Sequence, residues 1–474
     1  MFDQILKQIN DFVWGLPTII LILATGLVLT IQVRGMQFTK LGRAFKSIFR
    51  KNDGHGELSG FSALCTALSA TIGTGNIVGV ASAIAAGGPG ALFWMWIAAI
   101  LGTATKFAEC MLAIKYREVK EDGHILGGPF YTIEKGMGKK WKWLAILFAI
   151  FGVLAGLLGI GTMTQINGIT SAVNTAFDPS NLHIAFSIGT KSYTWAKVIG
   201  GLIVTVCAAL VILGGLKRIS KVAEKVVPAM AIIYVFLGVS VLIMNATHIP
   251  AAFALIFKSA FGLKAAAGGA IGWSIKKVSE SMQQGIARGI FSNEAGLGSA
   301  PIAAAPVQTN EPVEQGLVNM TGTVIDTLII CTMTGLAIVI ALCNPDFSGG
   351  KLEGVQLTAA ALSFDLGGDG ISIQFLLMLC LAFFAFTTIL GWNYYSEKCL
   401  EYLSNGKMKL VFIYRILYIA VIAIGPYFTV NEVFKIADIT NGLMAIPNCI
   451  SLIALSGVVA KETKLYFEKY PSLS

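Results

Sequence analysis

The chain has 474 residues, of which 55% are hydrophobic and only 13% charged, and its mean hydropathy is +0.73. Soluble domains carry about a quarter of their residues as charges, so this composition excludes an ordinary soluble enzyme or binding module. A net charge of +9 would suggest nucleic acid in a soluble protein, but here the bases fall in loops between long apolar runs, where membrane orientation accounts for them without a nucleic-acid partner.

The apolar runs are Leu16 to Ile31, Phe61 to Ala86, Leu92 to Ile114, Leu144 to Ala176, Val198 to Leu213, Val226 to Met244, Gly285 to Val307, Leu317 to Leu342, Ile373 to Tyr395, Leu410 to Tyr427 and Val433 to Val459. A span needs about 20 residues, so they predict an all-α polytopic membrane protein with about 11 transmembrane helices. Gly214-Gly215-Leu216-Lys217-Arg218 predicts a tight turn between the fifth and sixth. Between the sixth and seventh, Phe253, Leu255, Ile256, Ala260 and Phe261 alternate with Lys258 and Lys264, which predicts a short amphipathic surface helix. Ala265 to Gly272 predicts a bend or hairpin tip, and Val355 to Phe364 a second surface helix. No basic segment and cleavage site precede the first run, so it is expected to be retained.

Lys and Arg cluster in alternate loops: Arg34 to Lys51, Lys115 to Lys142, Lys217 to Lys225, Lys398 to Lys409, and the tail at Lys461, Lys464 and Lys469. The positive-inside rule puts these in the cytoplasm, with the N-terminus outside and the C-terminus inside. Two loops fit poorly. The one after Val307 carries Glu311 and Glu314 and no base, and Lys258 to Lys277, expected outside, carries four lysines.

One phrase occurs twice. Ser69-Ala70-Thr71-Ile72-Gly73-Thr74-Gly75-Asn76 and Ser292-Asn293-Glu294-Ala295-Gly296-Leu297-Gly298-Ser299 place Ser, Gly and Gly at the same relative positions. Glycine holds a helix poorly, and in hydrocarbon a broken helix survives only where its freed backbone groups line a cavity or bind something. A matched pair of broken spans, one per half, points to the central site of a secondary transporter. The chain then forms a single membrane transport domain over 1–474. An extra first helix at 12–32 precedes one five-helix repeat at 60–245 and a second, inverted one at 282–460.

The eight cysteines lie mostly within spans without a C-x-x-C pair, and the four histidines lie in loops, so neither disulfides nor a metal-ligand helix face is expected. The intramembrane charges are Lys106, Glu109, Arg288, Glu294, Asp326 and Arg415. Lys106 and Glu109 are spaced to pair on one face. Glu294 is placed to hold unwound backbone by accepting N–H bonds, and Asp326 is expected to be structural or gating, with Arg288 a candidate partner.

The stretch Gly87-Gly88-Pro89-Gly90-Ala91-Leu92-Phe93-Trp94-Met95-Trp96-Ile97-Ala98-Ala99-Ile100-Leu101-Gly102 resembles the signature of the alanine or glycine:cation symporter (sodium:alanine symporter) family. Thr74 to Ile77, Gly127 to Gly136, Arg288 to Ala303, and Ile325-Asp326-Thr327 are similar to the same family. Ala304, where the family usually has His, and Ile166, where it has a small residue, depart from the pattern. The resemblance implies the LeuT-type five-plus-five inverted repeat of the APC superfamily, and uptake of a small neutral amino acid with Na+ as coupling ion.

The implied substrate contacts are Thr71, Gly73, Gly75 and Asn76 at the first break, Phe291, Ser292 and Asn293 at the second, and Gln165, Thr388 and Trp392. The implied Na+ set is the Ser69, Ile72 and Phe384 carbonyls with the Thr387 and Thr388 hydroxyls. The physics is compatible: half-helix N-termini suit a carboxylate, and unwound carbonyls suit an ammonium or a dehydrated cation. Gln165 and Asn167, buried amides, could instead bond between helices. Phe291 and Trp392 could be packing residues or walls that limit side-chain size, and a Thr hydroxyl can simply cap its own helix. An intramembrane enzyme would need a nucleophile with a base or metal ligands in the spans, and no span histidine or G-x-S-x-G occurs. A channel would need a continuous polar path, whereas the polar groups cluster at two breaks. The expected partners are therefore an amino acid and the lipid bilayer of a prokaryotic cell (inner) membrane, with no obligate protein partner. The alternatives carried are glutamine or another neutral amino acid as substrate, and H+ as coupling ion.

Overall fold

Long apolar stretches separated by glycine, proline and base-rich turns fold as helices, because in lipid a helix satisfies every backbone group internally. The computed structural model describes residues 2–50, 56–120, 124–189, 191–262, 271–368 and 370–470. In chain order the helices that matter here are α1 (Gln4–Gln32), the pair α2 (Gly60–Thr71) and α3 (Gly75–Gly87), α4 (Ala91–Tyr116), α5 (Lys139–Phe177), α6 (Trp195–Ile212) and α7 (Gly215–Met244). Then come α8 (Ile271–Asn293), the short α9 (Ala300–Ala304), α10 (Pro312–Cys343), α11 (Ser372–Leu403), α12 (Met408–Tyr427), α13 (Glu432–Ala454) and α14 (Ser456–Lys469).

Among the described residues nine helices are long and apolar enough to cross a membrane, and a tenth span forms if α2 and α3, bent 48° apart, are taken together. The expected run from Gly285 to Val307 is the end of α8, a break, and α9. It falls outside that count because α8 also carries Lys276, Lys277, Glu280 and Arg288.

Burial sorts the helices into layers. The apolar window of α4 is 83% buried, and that of α10 72%, so both lie at the centre. The window of α6 is only 22% buried, with Ile199, Leu202, Ile203, Val206 and Leu210 on its exposed face, the arrangement expected of a lipid-facing helix. The expected surface helix after the sixth run is present at Ile249–Ala260. The second expected one forms a helix, Gly354–Leu366, but Val355, Leu357, Ala359, Ala361 and Leu362 are buried, so it packs into the bundle rather than lying on its surface. The expected tip at Ala265 to Gly272 lies, up to residue 270, outside the described residues. Two short antiparallel hairpins, Glu118–Val119 with Ile125–Leu126 and Ile184–Ile188 with Lys191–Thr194, are the described strands that hydropathy did not reveal.

The acidic loop that fitted the charge rule poorly has a structural explanation. Glu314 lies 3.4 Å from Arg50, and Glu311 pairs with Lys469 at 2.5 Å and accepts the Tyr470 hydroxyl at 3.0 Å. Its acids neutralise bases from the 34–51 segment and from the tail, so all three lie on one face of the bundle. All eight cysteines are free thiols.

Candidate functional site

The two breaks meet, and their glycines serve different ends. At the first, α2 stops at Thr71, Ile72 turns extended (φ −79°, ψ 98°), and the chain re-enters helix through a π-helical turn at Gly75–Gly79. Here glycine provides room. A Cβ on Gly75 would lie 3.0 Å from Ser292 Cα and 3.2 Å from the Phe291 ring, and one on Gly73 would lie 2.5 Å from Thr388 Oγ1 and 2.9 Å from Gln165 Oε1. At the second break, Glu294, Gly296 and Gly298 all take positive φ (57°, 93° and 78°), so two of its three left-handed positions carry the residue that tolerates them.

A buried polar network joins the breaks. Gly73 N–H donates to Asn76 Oδ1 at 2.9 Å, and Asn76 Nδ2 donates to Asp326 Oδ1 at 2.6 Å. Asp326 also accepts from Ser292 Oγ at 2.9 Å and Thr327 Oγ1 at 2.7 Å, while Asn293 Nδ2 donates to Thr327 Oγ1 at 3.1 Å. Asp326 thus holds first break to second from a π-helical turn of α10. Its expected partner Arg288 goes elsewhere. Lying one turn before Ser292, Arg288 reaches α13 and forms a two-pronged bond to Asp438 at 3.0 and 2.5 Å.

Lys106 and Glu109 do not pair with each other either. Lys106 Nζ donates to the Asn293 carbonyl at 2.8 Å, where α8 ends, and Glu109 Oε1 accepts from Gly296 N–H at 3.0 Å, Gly298 N–H at 3.2 Å and Asn448 Nδ2 at 2.6 Å, ahead of α9. A cation at the carbonyl end and an anion at the amide end is the arrangement that helix polarity favours, and each draws one member of the expected pair away. Glu109 therefore takes the backbone-holding role expected of Glu294. Glu294, left-handed, turns its carboxylate to Ser299 Oγ at 2.6 Å and Trp392 Nε1 at 2.5 Å. Phe291 abuts Gly75 and Trp392 bonds Glu294, so the two rings stand at different parts of the second break, both buried.

On the first break, Gln165 Oε1 accepts Thr74 N–H at 3.0 Å while its Nε2 donates to the Ile160 carbonyl at 2.9 Å. Asn167 bonds the Phe428 carbonyl at 2.7 Å, and Ile166 faces Gly425 rather than the break. The Thr71 hydroxyl caps its own helix at Ala67, and that of Ser69 at Thr66. Thr388 Oγ1 lies 3.2 Å from the Ile72 carbonyl and 3.0 Å from the Phe384 carbonyl, and Thr387 Oγ1 is 3.0 Å from the same Phe384 carbonyl. A hydroxyl has one proton, so Thr388 can satisfy only one of its two carbonyls at a time. An electron-rich spot of neutral oxygens remains between α2 and α11, a donor set that suits a hard monovalent cation.

The sodium:alanine symporter family profile matches residues 1–472. The chain belongs to that family. It is 44% identical to the sodium/alanine symporter AgcS of Methanococcus maripaludis over 98% of both chains, and 38% identical to the probable sodium/glutamine symporter GlnT of Bacillus subtilis over 98% of this chain and 91% of that one. Its fold is similar to that of MhsT solved in complex with L-phenylalanine (TM-score 0.55, 13% identity, 88% of this chain and 99% of that one). This family member is a transporter of the amino acid:cation class and not an enzyme.

Two seals flank the symporter's breaks. On one side a cleft of about 330 Å³, lined by Val78, Asn167, Lys197, Glu353 and Phe434, ends where the Phe434 and Phe291 rings pack with centroids 5.4 Å apart, tilted by 35°. Arg288 lies over both rings, at 5.0 and 5.6 Å, held there by Asp438. On the other side Leu58 bridges Val307, and Gln308 N–H donates to the Leu58 carbonyl at 2.8 Å. Arg117 donates to the carbonyls of Ala305, Val307 and Thr309 at 2.8, 2.7 and 2.8 Å.

Beside this second seal His124 sits between Glu401 (3.1 Å) and Glu57 (3.5 Å), with Lys398 Nζ 2.8 Å from Nε2. The two carboxylates push the imidazole pKa up to about 9, against burial and Lys398. His124 in turn holds the Glu57 carboxyl below its ordinary value. Sequence reasoning passed over Arg117, His124, Phe434 and Asp438. Asp438 alone carried a signal, as a carboxylate inside the run from Val433 to Val459.

Proposed function

We propose that the protein is a secondary active symporter that takes up a small neutral amino acid, alanine or glycine, with Na+ by alternating access. It would do so in a prokaryotic cell (inner) membrane with its N-terminus outside and its C-terminus in the cytoplasm. On this reading the molecule has eleven spans, α8 and α9 counting as the second broken one. The helix at 12–32 stands outside two inverted five-helix repeats at 60–245 and 282–460. One observation carries the reading: Thr388 Oγ1 lies between the Ile72 and Phe384 carbonyls, beside the only stretch of α2–α3 whose backbone is released from helix. Na+ would there take oxygens from both proposed repeats, with Ser69 and Thr387 completing the set.

The amino acid would lie against the first break, among Thr71, Gly73, Gly75, Asn76 and Gln165, with Phe291, Ser292 and Asn293 facing it. At the second break a carboxylate of the protein, Glu109, accepts the Gly296 and Gly298 amides, whereas at the first break the Gly73 and Thr74 amides are held by the neutral Asn76 and Gln165 side chains, which a substrate carboxylate would displace. Thr388 would serve substrate and ion together, and Trp392 would act behind Glu294. The name of the Bacillus relative favours glutamine as a second reading.

The test is uptake of labelled alanine by proteoliposomes, competed by glycine, serine, valine, leucine and glutamine. An inward Na+ gradient should drive accumulation, and glycine should compete better than leucine. Accumulation driven by a pH gradient and indifferent to Na+ would overturn the coupling, and preferential competition by glutamine would overturn the substrate.

A further inference from the structure

We propose that the groove between the end of α1 and α14 is a binding site for an anionic glycerophospholipid. The groove encloses about 740 Å³ and is lined by Arg34, Lys40, Lys461 and Lys464, with Glu468 as its single carboxylate. These cations are poorly neutralised. Among the described residues Arg34 and Lys461 have no carboxylate partner, and Lys464 meets Glu468 at 3.7 Å along its own helix. Lys40 lies 5.4 Å from the Phe467 ring. Arg34 takes φ +54° where α1 ends, with Gly35 N–H closing back on the Thr30 carbonyl at 2.9 Å, so the helix C-terminus sets this residue at the groove.

The apolar half of the ligand has its own track. Leu16, Ile20, Leu27 and Ile31 fall at heptad-like spacing on one face of α1 and are 59%, 55%, 51% and 66% exposed. This lipid-facing stripe runs into the groove, where Ile31 is part of the wall. An acyl chain along the stripe delivers its phosphate to the four bases. Both parts of the surface match one molecule: a phosphodiester with a long hydrocarbon tail. Basic pockets at helix ends on the membrane surface take such headgroups, and the argument is the same whichever face of the bundle is cytoplasmic.

The test is native mass spectrometry of the full-length protein in neutral detergent, titrated with phosphatidylglycerol, the two-phosphate diphosphatidylglycerol, or zwitterionic phosphatidylethanolamine. The anionic lipids should bind at least about tenfold more tightly than phosphatidylethanolamine, and high salt should weaken them. Each base near an anionic surface contributes about 1 kcal/mol, or about fivefold, so Arg34→Gln/Lys461→Gln/Lys464→Gln should lose about a hundredfold. Glu468→Gln should tighten binding several-fold, a gain that a merely damaged protein does not produce. If the triple variant does not fold, Lys461→Gln alone and Glu468→Gln decide. Equal binding of phosphatidylethanolamine and phosphatidylglycerol, or no change in any of these variants, would overturn the proposal. So would displacement of the lipid by millimolar inorganic phosphate, which would make this a site for free phosphate.

Discussion

Glu109 shows how much a single side chain supports at the second break. It is 2% exposed, and one of its oxygens receives two backbone amides and the Asn448 amide. Leaving a buried donor unpaired costs about 1–3 kcal/mol, so Glu109→Ala, which strands the Gly296 and Gly298 amides and removes one of the two bonds of the Asn448 amide, should lower the melting temperature in detergent sharply or abolish folded yield. Glu109→Gln keeps an acceptor oxygen and should be much milder; an alanine variant that melts like the parent would show that these bonds carry no stability. The two glycine pairs should separate in the same assay. Gly298 has φ +78°, and a Cβ there would lie 2.6 Å from Pro129 Cγ, so Gly298→Ala should destabilise the fold. Gly75 has an ordinary φ but touches Ser292, so Gly75→Ala should melt near the parent temperature and lose transport by holding the breaks apart. The sequence showed that all four glycines interrupt helices. It could not show which were bound by φ and which by contact, because contact depends on residues far away along the chain, such as Ser292 against Gly75. Separation along the chain likewise hid the true partners of Arg288, Lys106 and Glu109, the first of which lies 150 positions away.

At the scale of elements, hydropathy revealed the spans because lipid enforces one rule along every buried segment. It missed the seals, which are made of loop residues with no periodicity. Leu58 and Val307 pair as extended chain at the ends of the two broken spans, and Arg117 fastens the second of them through three carbonyls. His124 completes this seal, and its chemistry gives a pH dependence. Its pKa is raised from 6.5 to about 9 by Glu401 and Glu57, so the bonds it makes as a cation are fully present below pH 6.5 and are lost as pH rises through about 9. The Glu57 pKa is lowered, so its contribution is present above its ordinary 4.5 and is lost only on acidification. The latch is therefore complete between about pH 4.5 and 6.5 and loosens as the pH on its own side approaches 9. Transport by proteoliposomes should change over the window from 6.5 to 9 when pH is varied on that side alone, and His124→Gln should flatten the change. A parent profile that is flat across that window would show that the latch does not gate transport.

For the whole molecule the two seals are unequal. The side of the Val78–Phe434 cleft is closed by one aromatic pair and one ion pair, whereas the other is closed by extended-chain pairing, a three-carbonyl arginine clamp and the His124 cluster. The cleft side is thus held by fewer contacts; on the proposed function and orientation it would face outside, where substrate and Na+ would be captured. On the proposed function, coupling arises because the oxygens that would hold the ion come from both halves: Ile72 from the first break and Thr388 and Phe384 from α11. An occupied site would tie α2 to α11 and fix the first-break backbone against which the amino acid lies, so neither ligand would be held well alone. At 100 mV one inward Na+ supplies about 2.3 kcal/mol from the potential, enough for about fiftyfold accumulation. Thr388→Ala removes the hydroxyl that bridges the two carbonyls while leaving the helix intact, so folding should be retained. The Na+ concentration needed for half-maximal alanine uptake should rise by about tenfold or more, taking a lost ligand at about 1.5–3 kcal/mol as for a hydrogen bond to a charge. Thr387→Ala should show a smaller rise, because its hydroxyl is shared with the Phe383 and Phe384 carbonyls of its own helix. Measured as Na+ dependence of initial uptake at fixed alanine, an unchanged requirement in Thr388→Ala would place the coupling ion elsewhere, even if Na+ still drives transport.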